Sequence, residues 1–544
     1  MFYIRKTWAI LIILLGAQFI GLGLFSKGFF PYKKILSGFA KIEDLPRYPN
    51  GKEALPPEPL FDKLVFMLNS GMEFVKSLIE SHRAIPYTAH ASAPTVTLPR
   101  IKALTTGTVP NFLDAIFNIA ESDTSSLEFQ DNWLTQLKNA RNKTISFFGD
   151  DTWINLFPGI FKVTDGTSSL FATDTVEVDL NVTRNVVPQL LSPEWDALIF
   201  HYLGLDHIGH SSGPYSPLMI PKQREMDNVV KTIFEIIVKQ DEIRIEKNEN
   251  AKPTLFVLCG DHGMNEAGNH GGSSIGETST AFVFMSSKFN YMNYRNNMDY
   301  KDHTDNYRSL KFYKVVNQID FVPTLSFAFG IPIPRNNLGK VMLDVFVDID
   351  PLERLRALQL NAHQLSGILL TLWNSFARDP EKIEEIEKIE KLCNNSDKDE
   401  ETRLQCLYLF AYYFHSKALE FLDEESIENA SLFYEEFITE ASSLLSSSSS
   451  DYNIESMCWG LLFMGFASIS FIMILTIGFC VTLFTSSFIE EEHQFWYFWM
   501  QTTWFGLLFN RLTLISLGQM ILVRLIRSWN QTGGFQLFQS TTTN

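Results

Sequence analysis

Two short stretches carry side chains suited to hold a divalent cation. In HYLGLDHIGH, residues 201–210, Asp206 and His210 stand four apart at the end of the apolar run WDALIF, with His207 between them. In LFVLCGDHGMNEAGNHGG, Asp261 and His262 close a second apolar run and His270 follows eight residues later. Carboxylate oxygens and imidazole nitrogens together suit zinc or manganese. A lone histidine of this kind reads most simply as a satisfied loop residue. Two clusters at the ends of two apolar runs, each beside glycine, point instead to one centre built from Asp206, His210, Asp261, His262 and His270.

A third stretch, APTVTLPRIKALTTG at 93–107, offers a hydroxyl. Pro99 suits the first turn of a helix, which places Thr97 near the N-cap. Taken alone, Thr97 is an ordinary cap. Beside a dimetal cluster the same hydroxyl can act as a nucleophile toward phosphorus. A neighbouring cation lowers its pKa, and the amides of a helix N-terminus hold phosphoryl oxygens.

Such residues need a scaffold that brings them to one edge. DKLVFML, KTISFFGD, WDALIFHY, TLFVLCGD and TAFVFMSS are rich in Val, Ile, Leu and Phe, as strands buried on both faces are. REMDNVVKTIFEIIVKQ between them has the period of an amphipathic helix. Alternating elements over about 61–336 predict an α/β fold with a mainly parallel sheet flanked by helices, its ligands at the carboxyl ends of strands. From 351 to 447 the chain is charged and helical, with DPEKIEEIEKIEKL reading as a solvated helix face. SSLLSSSSSD, 442–451, reads as a flexible tether.

Both ends are oily. TWAILIILLGAQFIGLGLF follows Arg5 and Lys6 without a charge and is long enough for one membrane crossing. A cleaved signal peptide is the alternative, but GLGLFSKGFFPYKK makes a poor cleavage site, so an uncleaved anchor over 1–26 is the preferred reading. A second span is expected at 457–484 and a third around 495–523, where Arg511 interrupts the apolar run. With 45 Lys plus Arg against 62 Asp plus Glu, the net charge of −17 argues against nucleic acid as a partner. Cys393 and Cys406 are able to bridge if their segment faces an oxidising compartment. Sequons at Asn142, Asn181, Asn394 and Asn429 suit a glycosylated domain there.

TLPRIKALTTG, FFGDDTWINLFP, HYLGLDHIGHSSGP and LCGDHGMNEAGNHGG occur in this order, and over about 55–340 the chain resembles the ethanolamine phosphate transferases of glycosylphosphatidylinositol (GPI) biosynthesis, within the alkaline phosphatase superfamily. GLDHIGHSSGPYSPLM most resembles the type 2 branch. The resemblance implies an alkaline-phosphatase-like catalytic domain at 55–340, a helical lumenal region at 341–455 and a shortened transmembrane region at 457–544. It implies two zinc ions, one on Asp206, His210 and His270 and one on Asp261 and His262, with Thr97 at the reacting position. The implied reaction moves phosphoethanolamine from phosphatidylethanolamine to a mannose, the second, of the GPI precursor. It takes place on the lumenal side of the endoplasmic reticulum membrane, with a small membrane subunit as a further implied partner.

One departure matters. The family's first strand ends in a Val/Ile-Asp-Ala-Leu-Arg motif whose aspartate serves the second zinc. Here KLVFML runs straight into NSGMEFVKSL, as though a block were excised between Leu68 and Asn69. Asn69 and Glu73 are the nearest replacements, and both are poor ones. The expectation is one firm metal site, one weak one and impaired transfer. Two other readings stand beside it: a nucleotide pyrophosphatase or phosphodiesterase with the same ligands, and an inactive protein that binds GPI intermediates.

Overall fold

The computed structural model describes residues 2–29, 36–52, 56–68, 73–110, 127–169, 171–289, 313–346, 349–378, 386–393, 399–450 and 453–485. They fall into two compact units, Lys33–Asp451 and the two chain ends, Met1–Tyr32 with Tyr452–Asn544. The region around Arg511 and the sequon at Asn394 lie outside the described residues.

The larger unit is built on one sheet. Its strands are β1 (Lys63–Leu68), β2 (Ala84–His90), β3 (Ile145–Asp150), β4 (Val163–Thr167), β5 (Ala197–His201), β6 (Thr254–Cys259), β7 (Ser279–Met285) and β8 (Val315–Asn317). They lie in the order β4-β3-β5-β1-β6-β7-β2-β8. Only β7 runs against its neighbours; every other pairing is parallel. The five apolar runs became β1, β3, β5, β6 and β7. The remaining three gave no such signal: Pro86 interrupts β2, β4 reads Val-Thr-Asp-Gly-Thr, and β8 has three residues.

β1 shows why the runs are continuous. Leu64, Phe66 and Leu68 enter one core, while Val65 and Met67 enter the other across the sheet. The first core is covered by helices Thr97–Thr106, Trp133–Arg141 and Phe321–Ala328, and the second by Glu73–Glu80, Glu177–Leu191 and Met219–Lys247. At 25 cal/mol per Å2 of apolar area, a buried side chain of this size contributes about 1.5–3 kcal/mol.

Helices Pro351–Leu372, Glu400–Phe421 and Glu424–Ser450 extend the first core through Leu355, Leu365, Tyr434 and Phe437. Cys393 and Cys406 are disulfide-bonded. The serine-rich stretch is not a tether: helix runs on through Ser450, with Ala441, Ser442 and Leu445 buried. Ser442 donates its hydroxyl proton to the Leu338 carbonyl at 2.6 Å. Docking of Ala441 and Leu445 outweighs the modest helix propensity of serine, which costs only a few tenths of a kcal/mol per residue, about 0.5.

His363 and His415 sit inside this helical region, 6% and 0% exposed. Burial, and then the nearby guanidiniums of Arg378 and Arg356 for His363 and of Arg356 for His415, push both imidazoles down to about 3. The unfolded chain therefore takes up two protons between pH 6.5 and 3 that the native state refuses. Stability falls with falling pH across that window, by up to about 1.4 kcal/mol per pH unit for each histidine. Replacing both by glutamine should flatten the acid limb of a denaturation–pH curve, and an unchanged limb would refute the assignment.

In the smaller unit, helices Phe2–Phe29 and Ile454–Thr485 are each long and apolar enough to cross a membrane. Glycines let their backbones meet. A Cβ on Gly21 would stand 2.8 Å from the Gly460 carbonyl oxygen, and one on Gly28 would stand 2.5 Å from that of Asn453. Gln18 adds hydrogen bonds to the Met464 carbonyl at 3.1 Å and the Ser468 hydroxyl at 2.8 Å.

Candidate metal centre

The site lies where β5, β1 and β6 end side by side. Leu68 is in register with His201 on one side and Cys259 on the other. The chain leaving β5 enters a helix, Gly204–Ser212, rather than a polar loop. Helical spacing decides which histidine joins Asp206. His210, one turn on, places Nε2 at 3.3 Å from Asp206 Oδ2. His207 turns away, is 2% exposed, and donates from Nδ1 to the Asp174 carbonyl at 2.6 Å.

His270 completes the group. Its Nε2 stands 3.7 Å from Asp206 Oδ1, and one ligand atom from each of Asp206, His210 and His270 falls within 4.8 Å of the others. Its ring stacks on His262, centroids 3.8 Å apart, and His262 Nε2 lies 3.3 Å from Asp261 Oδ2. All five predicted ligands therefore meet at one edge of the sheet. Asp206 Oδ1 is buried without a hydrogen-bond partner. An uncompensated carboxylate oxygen is costly, by about 1–3 kcal/mol, unless a cation takes it up. One carboxylate and two imidazoles around it are the donor set of a divalent metal site, and the residues fit the group.

Electrostatics favour the same state. Burial pushes the Asp206 carboxyl up, but His210, His262 and His270 outweigh it and hold the group below the usual carboxylate range. The hydrogen bond to Asp206 raises His210, whereas burial and then His262 lower His270, which keeps that ring neutral. His270 donates from Nδ1 to the Thr95 carbonyl at 2.8 Å, so Nε2 carries the free lone pair.

Thr95 ties the third stretch to the site. Its hydroxyl donates to the Gly272 carbonyl and accepts from the Gly271 amide, both at 2.9 Å. Two residues on, Thr97 is the first residue of helix Thr97–Thr106. Val96, extended, takes the cap position without a side-chain hydrogen bond, so Thr97 is not the cap. A second tie runs through Gln318, 1% exposed, which accepts from Arg100 at 3.3 Å. The Gln318 amide donates to the carbonyls of Gly260 at 2.9 Å and Asp261 at 2.6 Å. The threonine helix and the Asp261–His262 turn thus share one glutamine.

A further support escaped the sequence. Asp179, 0% exposed, accepts from the amides of Leu203 and Gly204 at 3.1 and 2.9 Å, capping the helix that carries Asp206 and His210. Lys222 Nζ stands 3.2 Å from its other oxygen. Gly204 is required there, because a Cβ would fall 2.2 Å from Asp179 Oδ2. No local pattern announces this pair, whose members lie on separate helices. Asp179→Ala should weaken metal retention by about 10–100-fold, the usual cost of losing an outer support. It should also cost about 1–3 kcal/mol of stability, because the buried amides of Leu203 and Gly204 lose their acceptor while Lys222 keeps only Glu225, 3.0 Å away. Competition with a fluorescent chelator reads the first; wild-type retention in a folded variant would refute it.

The place of the expected departure is visible as well. β1 delivers the chain between the two ligand-bearing strands, but Asn69 lies outside the described residues. Glu73 opens the next helix with its side chain 78% exposed, 3.9 Å from Arg224. It does not stand in for a missing carboxylate.

Comparison with known proteins agrees with this architecture. Residues 125–319 match the model of the type I phosphodiesterase / nucleotide pyrophosphatase family, and 450–538 match that of the GPI ethanolamine phosphate transferase membrane region. A protein of Aspergillus oryzae called GPI ethanolamine phosphate transferase 2 is 41% identical over 92% of this chain and 61% of its own length. The chain is similar to this protein over nearly all of its own length. Proteins of the same name from Candida albicans and Schizosaccharomyces pombe are 34% and 38% identical, over 97% and 95% of this chain and 58% and 64% of theirs. The chain thus spans about three fifths of the length of the curated relatives it matches. Among solved structures, an alkaline phosphatase superfamily protein from Vibrio parahaemolyticus superposes with a TM-score of 0.35 at 14% identity, covering 62% of this chain and 79% of its own. The two family models and the apolar helices make this a membrane protein with an α/β domain similar to type I phosphodiesterases / nucleotide pyrophosphatases.

Proposed function

We propose that this chain carries out metal-dependent transfer of phosphoethanolamine from phosphatidylethanolamine to a mannose, the second, of the GPI precursor. The observation that carries the reading is the meeting of Asp206, His210 and His270 at the sheet edge, tied through Thr95 to the helix that begins with Thr97. Asp206, His210 and His270 would hold one zinc, and Asp261 and His262 would contribute to a second. Such ions, when bound, neutralise charge on phosphoryl oxygens and favour the ionised hydroxyl.

The chain's own groups do the rest. Thr97 Oγ gives up its proton and forms a bond to phosphorus. The bond from phosphorus to the glycerol oxygen breaks, and diacylglycerol leaves with a proton on that oxygen. The mannose hydroxyl then attacks from the vacated side, its proton departs, and the bond to Thr97 Oγ breaks, restoring the threonine. Amides at the start of the Thr97–Thr106 helix would meet the transferred group beside Thr97 Oγ, where their partial positive charge stabilises its oxygens. Two lipid-borne reactants suit an enzyme held in the membrane. The disulfide Cys393–Cys406 supports an oxidising compartment, the lumen of the endoplasmic reticulum, with Asn142 exposed for glycosylation and a small membrane subunit as partner.

The second reading, GPI binding without turnover, is favoured by the absence of an acid after β1 and the exposure of Glu73. One assay decides. The purified full chain is given labelled phosphatidylethanolamine with a GPI precursor and, in parallel, a soluble nucleotide diester. Label transfer to the glycan supports the proposal, and rapid diester hydrolysis without transfer supports a phosphodiesterase. Saturable precursor binding with neither reaction supports the binding role.

A further inference from the structure

Away from the metal centre, and sharing no residue with it, a cavity of about 800 Å3 opens among the 36–51 segment, the 331–335 loop and the helices Pro351–Leu372 and Glu400–Phe421. Its charge is one-sided. Lys41, Arg47, Arg335 and Arg378 line it against one acid, Asp44. Asp44 is already taken, 3.2 Å from Arg335. Arg378 forms no ion pair among the described residues, and its Nε is buried without a hydrogen-bond partner.

A second guanidinium stands behind the wall. Arg356 is 1% exposed and donates only to uncharged oxygens, Gln359 Oε1 at 2.6 Å and the Pro46 carbonyl at 2.9 Å. It lies over the Tyr48 ring, 4.7 Å from the centroid, and both Pro46 and Tyr48 line the cavity. In a chain with a net charge of −17, two guanidiniums thus stand at one cavity with no ion-pair contact among the described residues, Glu353 acting on Arg356 only from a distance. Desolvated cations of this kind cost several kcal/mol, about the amount that a bound anion would offset. His363, also in the lining, is held neutral by its burial and by these same cations, so it adds a hydrogen-bonding group and no charge.

The floor is different. Phe327, Ile331, Ile333 and Leu360 present apolar surface that a free inorganic anion would leave wet. A cationic rim over an apolar floor, in a volume typical of small-ligand sites, matches one ligand chemistry. We propose that this cavity binds a phosphate ester carrying an apolar chain, with Arg378 meeting the phosphate and Phe327, Ile331 and Leu360 meeting the chain. The proposal does not depend on the metal centre.

Equilibrium dialysis of the full chain in a neutral amphipol tests it. The probes are dihexanoyl phosphatidic acid, inorganic phosphate and dihexanoylglycerol, with and without prior chelation to separate binding at the metal centre. Expected is saturable, chelation-resistant binding of the phosphatidic acid at one equivalent, about tenfold weaker in Arg378→Gln and within about threefold of wild type in Arg378→Lys. Neither inorganic phosphate nor dihexanoylglycerol should compete at equal concentration. The lysine variant guards against simple misfolding. Equal binding in Arg378→Gln, equal binding of dihexanoylglycerol, displacement by inorganic phosphate, or loss of binding on chelation would each overturn the proposal.

Discussion

Thr97→Ala should abolish the covalent phosphoethanolamine adduct and lower transfer by on the order of 10^4-fold, while Thr97→Ser stays within about tenfold of the parent. The asymmetry follows from what each change removes. Alanine deletes the only oxygen that can bond to phosphorus at the head of the Thr97–Thr106 helix, whereas serine deletes a methyl group. Leu98, Pro99 and Arg100 behind it are buried, so the helix itself stays in place and the variant should melt like the parent. Brief exposure to labelled phosphatidylethanolamine, acid quench and mass spectrometry of the tryptic peptide report the adduct directly. An alanine variant that still transfers phosphoethanolamine would remove Thr97 from the reaction.

The second large effect belongs to Asp206. Asp206→Asn keeps the shape of the side chain and removes its charge, leaving His210 and His270 as neutral ligands with no anion between them. Metal affinity should fall by on the order of 10^3-fold, equivalent to about 4 kcal/mol, with transfer falling at least as far. A generic surface carboxylate 28% exposed would show no such cost. His207→Gln makes the contrast, because His207 bonds the Asp174 carbonyl and should lose structure before it loses metal. Isothermal titration with zinc separates the two variants, and equal losses would refute the division of roles.

How far the sequence reaches is clearest in that pair of histidines. The apolar runs ending at Leu68, His201 and Cys259 announced strands buried on both faces, and register alone then brought their ends together. The sequence already pairs Asp206 with His210, four residues on, and leaves His207 out. Read at helical period, Asp206 and His210 share a face and His207 lies about 100° around the axis, so the distinction was available. Asp179 and Lys222 were not available in that way. Their meeting depends on how two helices pack over the sheet, and each alone reads as one charge on a polar face. Gln318 is hidden for a related reason, since its partners are mainly backbone carbonyls, which every residue has. The serine run misled because composition reports propensity, whereas Ala441 and Leu445 dock through tertiary burial.

The central proposal is a cation held by Asp206, His210 and His270, with a second, less completely ligated, at Asp261 and His262. Elemental analysis of the full chain, loaded with zinc and dialysed against metal-free buffer, tests it most directly. The prediction is one zinc retained per chain. No retained zinc would contradict the centre itself, and two tightly retained ions would contradict the weakened second site.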